Sequence, residues 1–126
     1  MPPTLRYSLT GIAALAALSG VHAVRDAGAG DNWLMGIAPN LCAAVAIPFV
    51  ALGIWVDQRR DAGRRTTLRA FAWCAAGSLS GLVVWELVQR STSGLVFDPW
   101  DLLATVVGTG LAAALIVVLA PAERPQ

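Results

Sequence analysis

Apolar residues fall in four long blocks, Tyr7 to Val24, Trp33 to Val56, Ala70 to Val88 and Leu102 to Ala122, and the polar residues gather between them. A half-buried strand would alternate over a few positions, and a surface helix would keep one polar face; these blocks do neither. At about 1.5 Å of rise per residue, each approaches the ~30 Å hydrocarbon thickness of a bilayer. The pattern therefore predicts an all-α, polytopic membrane protein with four transmembrane helices near 7–24, 33–56, 70–89 and 99–121, one four-helix domain over residues 1–126.

Composition agrees with this reading. The chain is 56% hydrophobic and only 13% charged, with a mean hydropathy of +0.63, too few polar residues to cover a globule in water. Five Trp residues mark the block ends, Trp33, Trp85 and Trp100 on one expected side and Trp55 and Trp73 on the other, as indoles prefer the headgroup level.

Charge sets the expected orientation. The segment from Asp57 to Arg69 contains Arg59, Arg60, Arg64, Arg65 and Arg69, and such loops stay in the cytoplasm. Alternation puts Arg6 and Arg124 on the same side and leaves Arg25 and Arg90 outside. The expected protein is a multi-pass component of the inner (plasma) membrane with both termini cytoplasmic and membrane lipids as partners. The Arg-rich loop serves as a topology anchor, with anionic lipid headgroups as its other candidate partner. A cleaved secretory signal ending at Ala23 is the alternative for the first block, since Arg6, a short apolar core and the small residues Val21 and Ala23 fit that pattern.

Some classes fall away. A net charge of +1 and the absence of Lys give no basic stripe for nucleic acid. Cys42 and Cys74 lie about 10 Å apart in expected depth, by helical rise, too far for a disulfide, and read as small packing residues. Membrane helices approach closely through small side chains. The candidates are Gly77 and Gly81 on the third helix, Ala104, Gly108 and Ala112 on the fourth, and Ala13, Ala14, Ala16 and Ala17 on the first. The second helix carries Pro39, Asn40 and Pro48. Its Asn40 amide needs a partner in lipid, either on a neighbouring helix or in a polar cavity.

The chemistry concentrates between the third and fourth blocks, in Glu86, Gln89 and Arg90 and then Asp98, Pro99, Trp100 and Asp101. Carboxylates are costly in membrane segments and mark sites there. Asp98 followed by Pro99 has the form of an N-cap and first helical residue, with Asp101 at the third position. Helical spacing sets Asp101 on one face with Ala104, Thr105, Gly108 and Ala112, and sets Glu86 with Gln89 and Arg90, so that Glu86 can pair with Arg90.

The run from Glu86 through Gln89, Gly94, Phe97, Asp98, Asp101 and Gly108 to Ala112, about a fifth of the chain, resembles the C-terminal hairpin of the VanZ-like family of small integral membrane proteins. Glu86, Gln89, Asp101 and Gly108 match its motif. Leu95, Thr105 and Ala112 stand where that family often has Arg, Asn and Gly, and its earlier Asp-Lys and His pattern is absent. The resemblance implies a cell-envelope role, associated in the founding member with low-level resistance to the glycopeptide teicoplanin.

From these residues the expected site is an outward-facing polar pocket of Glu86, Gln89, Arg90, Asp101 and Asn40, with Asp98 and Gly108 structural, taking a lipid-linked or glycopeptide headgroup. Two other readings remain open. One is a scaffold or small transporter subunit that pairs, as a homo-oligomer or with another membrane protein, through its Gly and Ala faces. The other is a membrane-embedded metal-dependent hydrolase built on Glu86, Asp98, Asp101 and His22. No HExxH, GxSxG or paired-Cys motif accompanies those residues, so neither catalysis nor a cofactor is expected.

Overall fold

The computed structural model describes residues 1–29, 32–59, 61–94, 97–120 and 122. Arg60, Leu95 and Arg124 lie outside the described residues, as does position 121, the expected end of the fourth span. The described chain forms four helices, α1 Pro3–Asp26, α2 Trp33–Gln58, α3 Arg64–Ser91 and α4 Pro99–Leu119, and contains no strand among the described residues. All four are long and apolar enough to cross a membrane. Most of their large apolar side chains face outward, as lipid solvation allows: Trp73 is 78% exposed and Val118 81%. The protein is an all-α, multi-pass membrane bundle.

The helix starts differ from the expected spans in two places. α1 begins at Pro3, which takes the first-turn position where proline fits. α3 begins at Arg64 instead of near Ala70, because the intervening residues, all Arg or Thr apart from Leu68, are mostly polar without being helix-breaking. Hydropathy reports burial and is blind to a polar helical turn. Thr67 is buried in that turn, and its hydroxyl donates to the Gly63 carbonyl.

Short connections make successive helices antiparallel, and α2 occupies the middle of the assembly. α1 packs along one side of α2 and only grazes α4, while α3 and α4 cover the rest of α2 and meet each other. Backbones come closest at glycines. A Cβ on Gly11 of α1 would stand 2.7 Å from Val50 Cγ2, and one on Gly53 of α2 would stand 2.8 Å from Ser8 Oγ. The α2–α4 seam is as close, and there it is backbone that is met. A Cβ on Gly108 would meet the Leu41 carbonyl at 2.7 Å and Ala44 Cβ at 2.8 Å.

The fourth-helix face expected from spacing is thus the packed one, with Ala104, Thr105, Gly108 and Ala112 all buried. The other two small-residue faces are not used this way. A Cβ on Gly77 or Gly81 would meet nothing within 4 Å, and Ala13, Ala16 and Ala17 are exposed, with Ala14 half-buried. In their place α1 approaches α2 through Gly11 and Gly53, because the choice between two smooth faces is made by the surface opposite.

The apolar core lies in the Arg-rich half of the bundle. Tyr7, Phe49, Leu52, Val56, Phe71 and Ile116 are its larger members, and the Phe49 and Phe71 rings meet with centroids 5.2 Å apart. At this end Arg64 closes α4: its guanidinium donates to the Ala120 and Val117 carbonyls, each at 2.9 Å. These are terminal carbonyls with no partner in their own helix, and a cation there also complements the helix dipole. The opposite end is held by Trp33 and Trp100, packed edge to face at 5.5 Å. Trp55 and Trp73 line one cavity at the Arg-rich end, so these four tryptophans divide between the ends as expected.

Candidate functional site

At the Trp33 and Trp100 end, the centre of the bundle is polar. Asn40 comes from α2, one residue beyond Pro39, which is accommodated without ending the helix. Glu86 comes from the last turns of α3, and Asp101 from the first turn of α4. The Asn40 Nδ2 donates to Glu86 Oε1 at 3.2 Å. The same amide interacts with the Asp101 carboxylate, and Asp101 is close enough for its charge to act on Glu86.

Glu86 is the most enclosed of the three, only 1% exposed. Its second oxygen, Oε2, is buried and has no hydrogen-bond partner among the described residues. A carboxyl group withdrawn from water is costly unless both oxygens are met, and the bundle meets only one. Tyr7 Oη and Ser78 Oγ are also buried without partners among the described residues, but of the three it is Glu86 that stands beside a second carboxylate and a shared amide.

Local structure fixes the rest of the hairpin. Asp98 caps α4, its Oδ1 accepting from the Trp100 N–H at 2.9 Å, with Pro99 in the first turn. That is the start expected from the sequence, and it explains Asp98 structurally. Its charge still acts on both Glu86 and Asp101. Asp101 is half-buried, with Ala104, Thr105 and Gly108 following on its face. Gly108 lets α4 come near to α2, the helix that carries Asn40.

Arg90 is placed otherwise than expected. Its guanidinium lies over the Phe97 ring, 5.7 Å from the centroid, and it forms no ion pair with Glu86, whose partner is Asn40. Sequence spacing allows the i, i+4 pair, but a stack on Phe97 at the rim keeps the guanidinium hydrated while Glu86 is buried. Gln89 is half-buried, one turn beyond Glu86. Of the five residues expected to bind a ligand, Asn40, Glu86 and Asp101 are brought together, while Arg90 sits on the rim with Phe97.

Arg25, near the end of α1, is the addition. It is close enough for its charge to act on Asp101, although in the sequence it counts only toward topology. An Arg at the end of an apolar block that alternation places beside the acidic hairpin was the available signal. His22 is exposed on α1, and Asp98 is engaged in its cap. Among the described residues, no three His, Cys, Asp or Glu side chains gather as a metal site. Cys42 and Cys74 are free thiols.

Comparison with family models, curated proteins and solved structures gives no match to this chain. What the protein does is therefore read from the Asn40, Glu86 and Asp101 cluster and from its motif.

Proposed function

We propose that this protein is a VanZ-like component of the cell envelope, inserted in the plasma membrane with both termini cytoplasmic, and that its Asn40, Glu86 and Asp101 cluster binds a hydrogen-bond-donating headgroup of a lipid-linked or glycopeptide ligand. The observation that carries the reading is the buried Glu86 Oε2, which has no partner among the described residues and stands near a second carboxylate, that of Asp101. Acceptor oxygens in excess of donors suit a ligand that brings N–H or O–H groups. Rim-placed Arg90 is available to an anionic part of the same headgroup. The Glu86, Gln89, Asp101 and Gly108 pattern supports the family reading, and positive loops support the orientation.

The test is expression of the full chain in a glycopeptide-sensitive bacterium. Raised tolerance to teicoplanin is expected, and Glu86→Ala and Asp101→Ala should each abolish it while membrane abundance stays at the level of the unaltered chain. If tolerance falls only in step with abundance, the cluster is structural and the reading fails.

A further inference from the structure

A second feature lies at the other end of the bundle and on another face. Along α3, Thr66, Arg69, Trp73, Gly77 and Gly81 recur at spacings of three and four and so form one stripe. Two concavities follow this stripe where α3 meets α2. One, of about 310 Å³, is bounded by Thr66, Arg69 and the indoles of Trp55 and Trp73. The other, of about 390 Å³, continues over Gly77 and Gly81 against Ile47 and Ala51 of α2. Trp73 and Cys74 line both, so the two lie end to end along α3 and are taken together as one groove.

The groove is charged at one end only. Arg69 is exposed and makes no hydrogen bond or ion pair among the described residues. Arg59 adds positive charge beside the same wall, its guanidinium 5.7 Å from the centre of the Trp55 ring. Beyond Trp73 the lining is apolar apart from Ser78, which is 8% exposed and whose Oγ has no partner among the described residues. The space above Gly77 and Gly81 is open, with no described residue within 4 Å of where a Cβ would stand.

We propose that this groove holds one anionic phospholipid, its phosphate at Arg69 and Thr66 and an acyl chain laid over Gly77 and Gly81. From Arg69 to Leu82 the helix rises about 20 Å. One leaflet of a ~30 Å hydrocarbon core requires about 15 Å, so the groove accommodates a chain from headgroup to midplane. The tryptophans flank the level at which a headgroup sits, and Thr66 Oγ1 supplies a donor to a phosphate oxygen. A second copy is the weaker occupant: copies inserted in the same direction would bring Arg69 of one against Arg69 of the other. The site is independent of the Glu86 cluster and of which side of the membrane the Arg-rich end faces.

Native mass spectrometry of the full chain, with phosphatidylglycerol and phosphatidylcholine of identical acyl chains, tests this. Phosphatidylglycerol should be retained in preference, one per chain. Arg69→Gln should weaken that retention roughly fivefold, the equivalent of the ~1 kcal/mol that a basic side chain contributes near anionic lipid, and Arg69→Lys should preserve it. Gly77→Leu with Gly81→Leu should reduce retention of both lipids at unchanged helicity. Equal retention of the two lipids by the unaltered chain, or no effect of Arg69→Gln, would overturn the proposal. So would a lipid-independent dimer that Gly81→Leu disrupts, since a second copy would then fill the groove.

Discussion

The bond between Asn40 and Glu86 is the point at which a single side chain does most to define this bundle. Each is a polar group that lipid cannot satisfy, and each answers part of the other's need. Removing Asn40 leaves a buried carboxyl with neither oxygen bonded, whereas replacing both by Leu removes the buried carboxyl and the buried amide together and leaves Asp101 as the polar group at that level. Asn40→Ala should therefore destabilise the protein by about 1–3 kcal/mol, read as the unfolding midpoint in detergent micelles. Asn40→Leu combined with Glu86→Leu should recover most of that loss; an additive result in the double-mutant cycle would mean that the two side chains are not coupled. Arg90 is expected to behave differently, because it sits over Phe97 and not in the cluster. Arg90→Ala should alter teicoplanin tolerance far less than Glu86→Ala, and equal losses would return Arg90 to the ligand's inner contacts. Spacing correctly separates Asp98, whose cap is local, from Asp101, whose face is not. It could not choose between Arg90 and Asn40 for Glu86, since the second lies 46 residues away.

Between elements, small residues decide distance and terminal groups decide where a helix stops. At Gly108 α4 lies close against α2, and a Cβ there already collides with the backbone at Leu41. Gly108→Leu should push the helices apart at a cost of at least ~2 kcal/mol, in the range of overpacked cores. Gly110→Leu, directed into open space, should be close to neutral in the same melting experiment. Similar losses for the two would mean that contact at Gly108 is not the cause, since Gly→Leu raises helix propensity at both positions. Arg64 holds the other end of α4 through two carbonyls. Its replacement by Ala should cost about 1–2 kcal/mol, as the loss of a charged donor does, and should speed amide hydrogen exchange in the last turn of α4 before any loss elsewhere. The expected third-helix and first-helix seams illustrate the limit of reading faces from spacing. Gly77 with Gly81, and the alanines of α1, are as smooth as the face containing Gly108, but smoothness permits contact and does not assign it.

For the whole molecule, the bundle divides into an apolar, aromatic core toward the Arg-rich end and a polar centre toward the acidic hairpin. With the orientation proposed above, a cysteine introduced at Ser93 should react with a membrane-impermeant maleimide in intact cells, and one at Gly63 only after lysis. The reverse pattern would invert the topology and place the cluster inside. The sequence by itself determined that there are four membrane helices, where their tryptophan ends fall, that Asp98 caps α4, and that Asp101 faces the packed seam, because hydropathy, capping and helical periodicity are local properties. It could not determine that Arg64 begins a polar first turn of α3 and reaches Ala120, 56 residues away, that close seams form at Gly11 and Gly53 instead of at Gly77 and Gly81, or that Glu86 bonds Asn40 instead of Arg90. Those outcomes depend on which surfaces meet. In lipid, where apolar faces gain little by leaving one solvent for another, close backbone approach and the need to pair every buried polar group settle that choice, and both are properties of the assembled bundle.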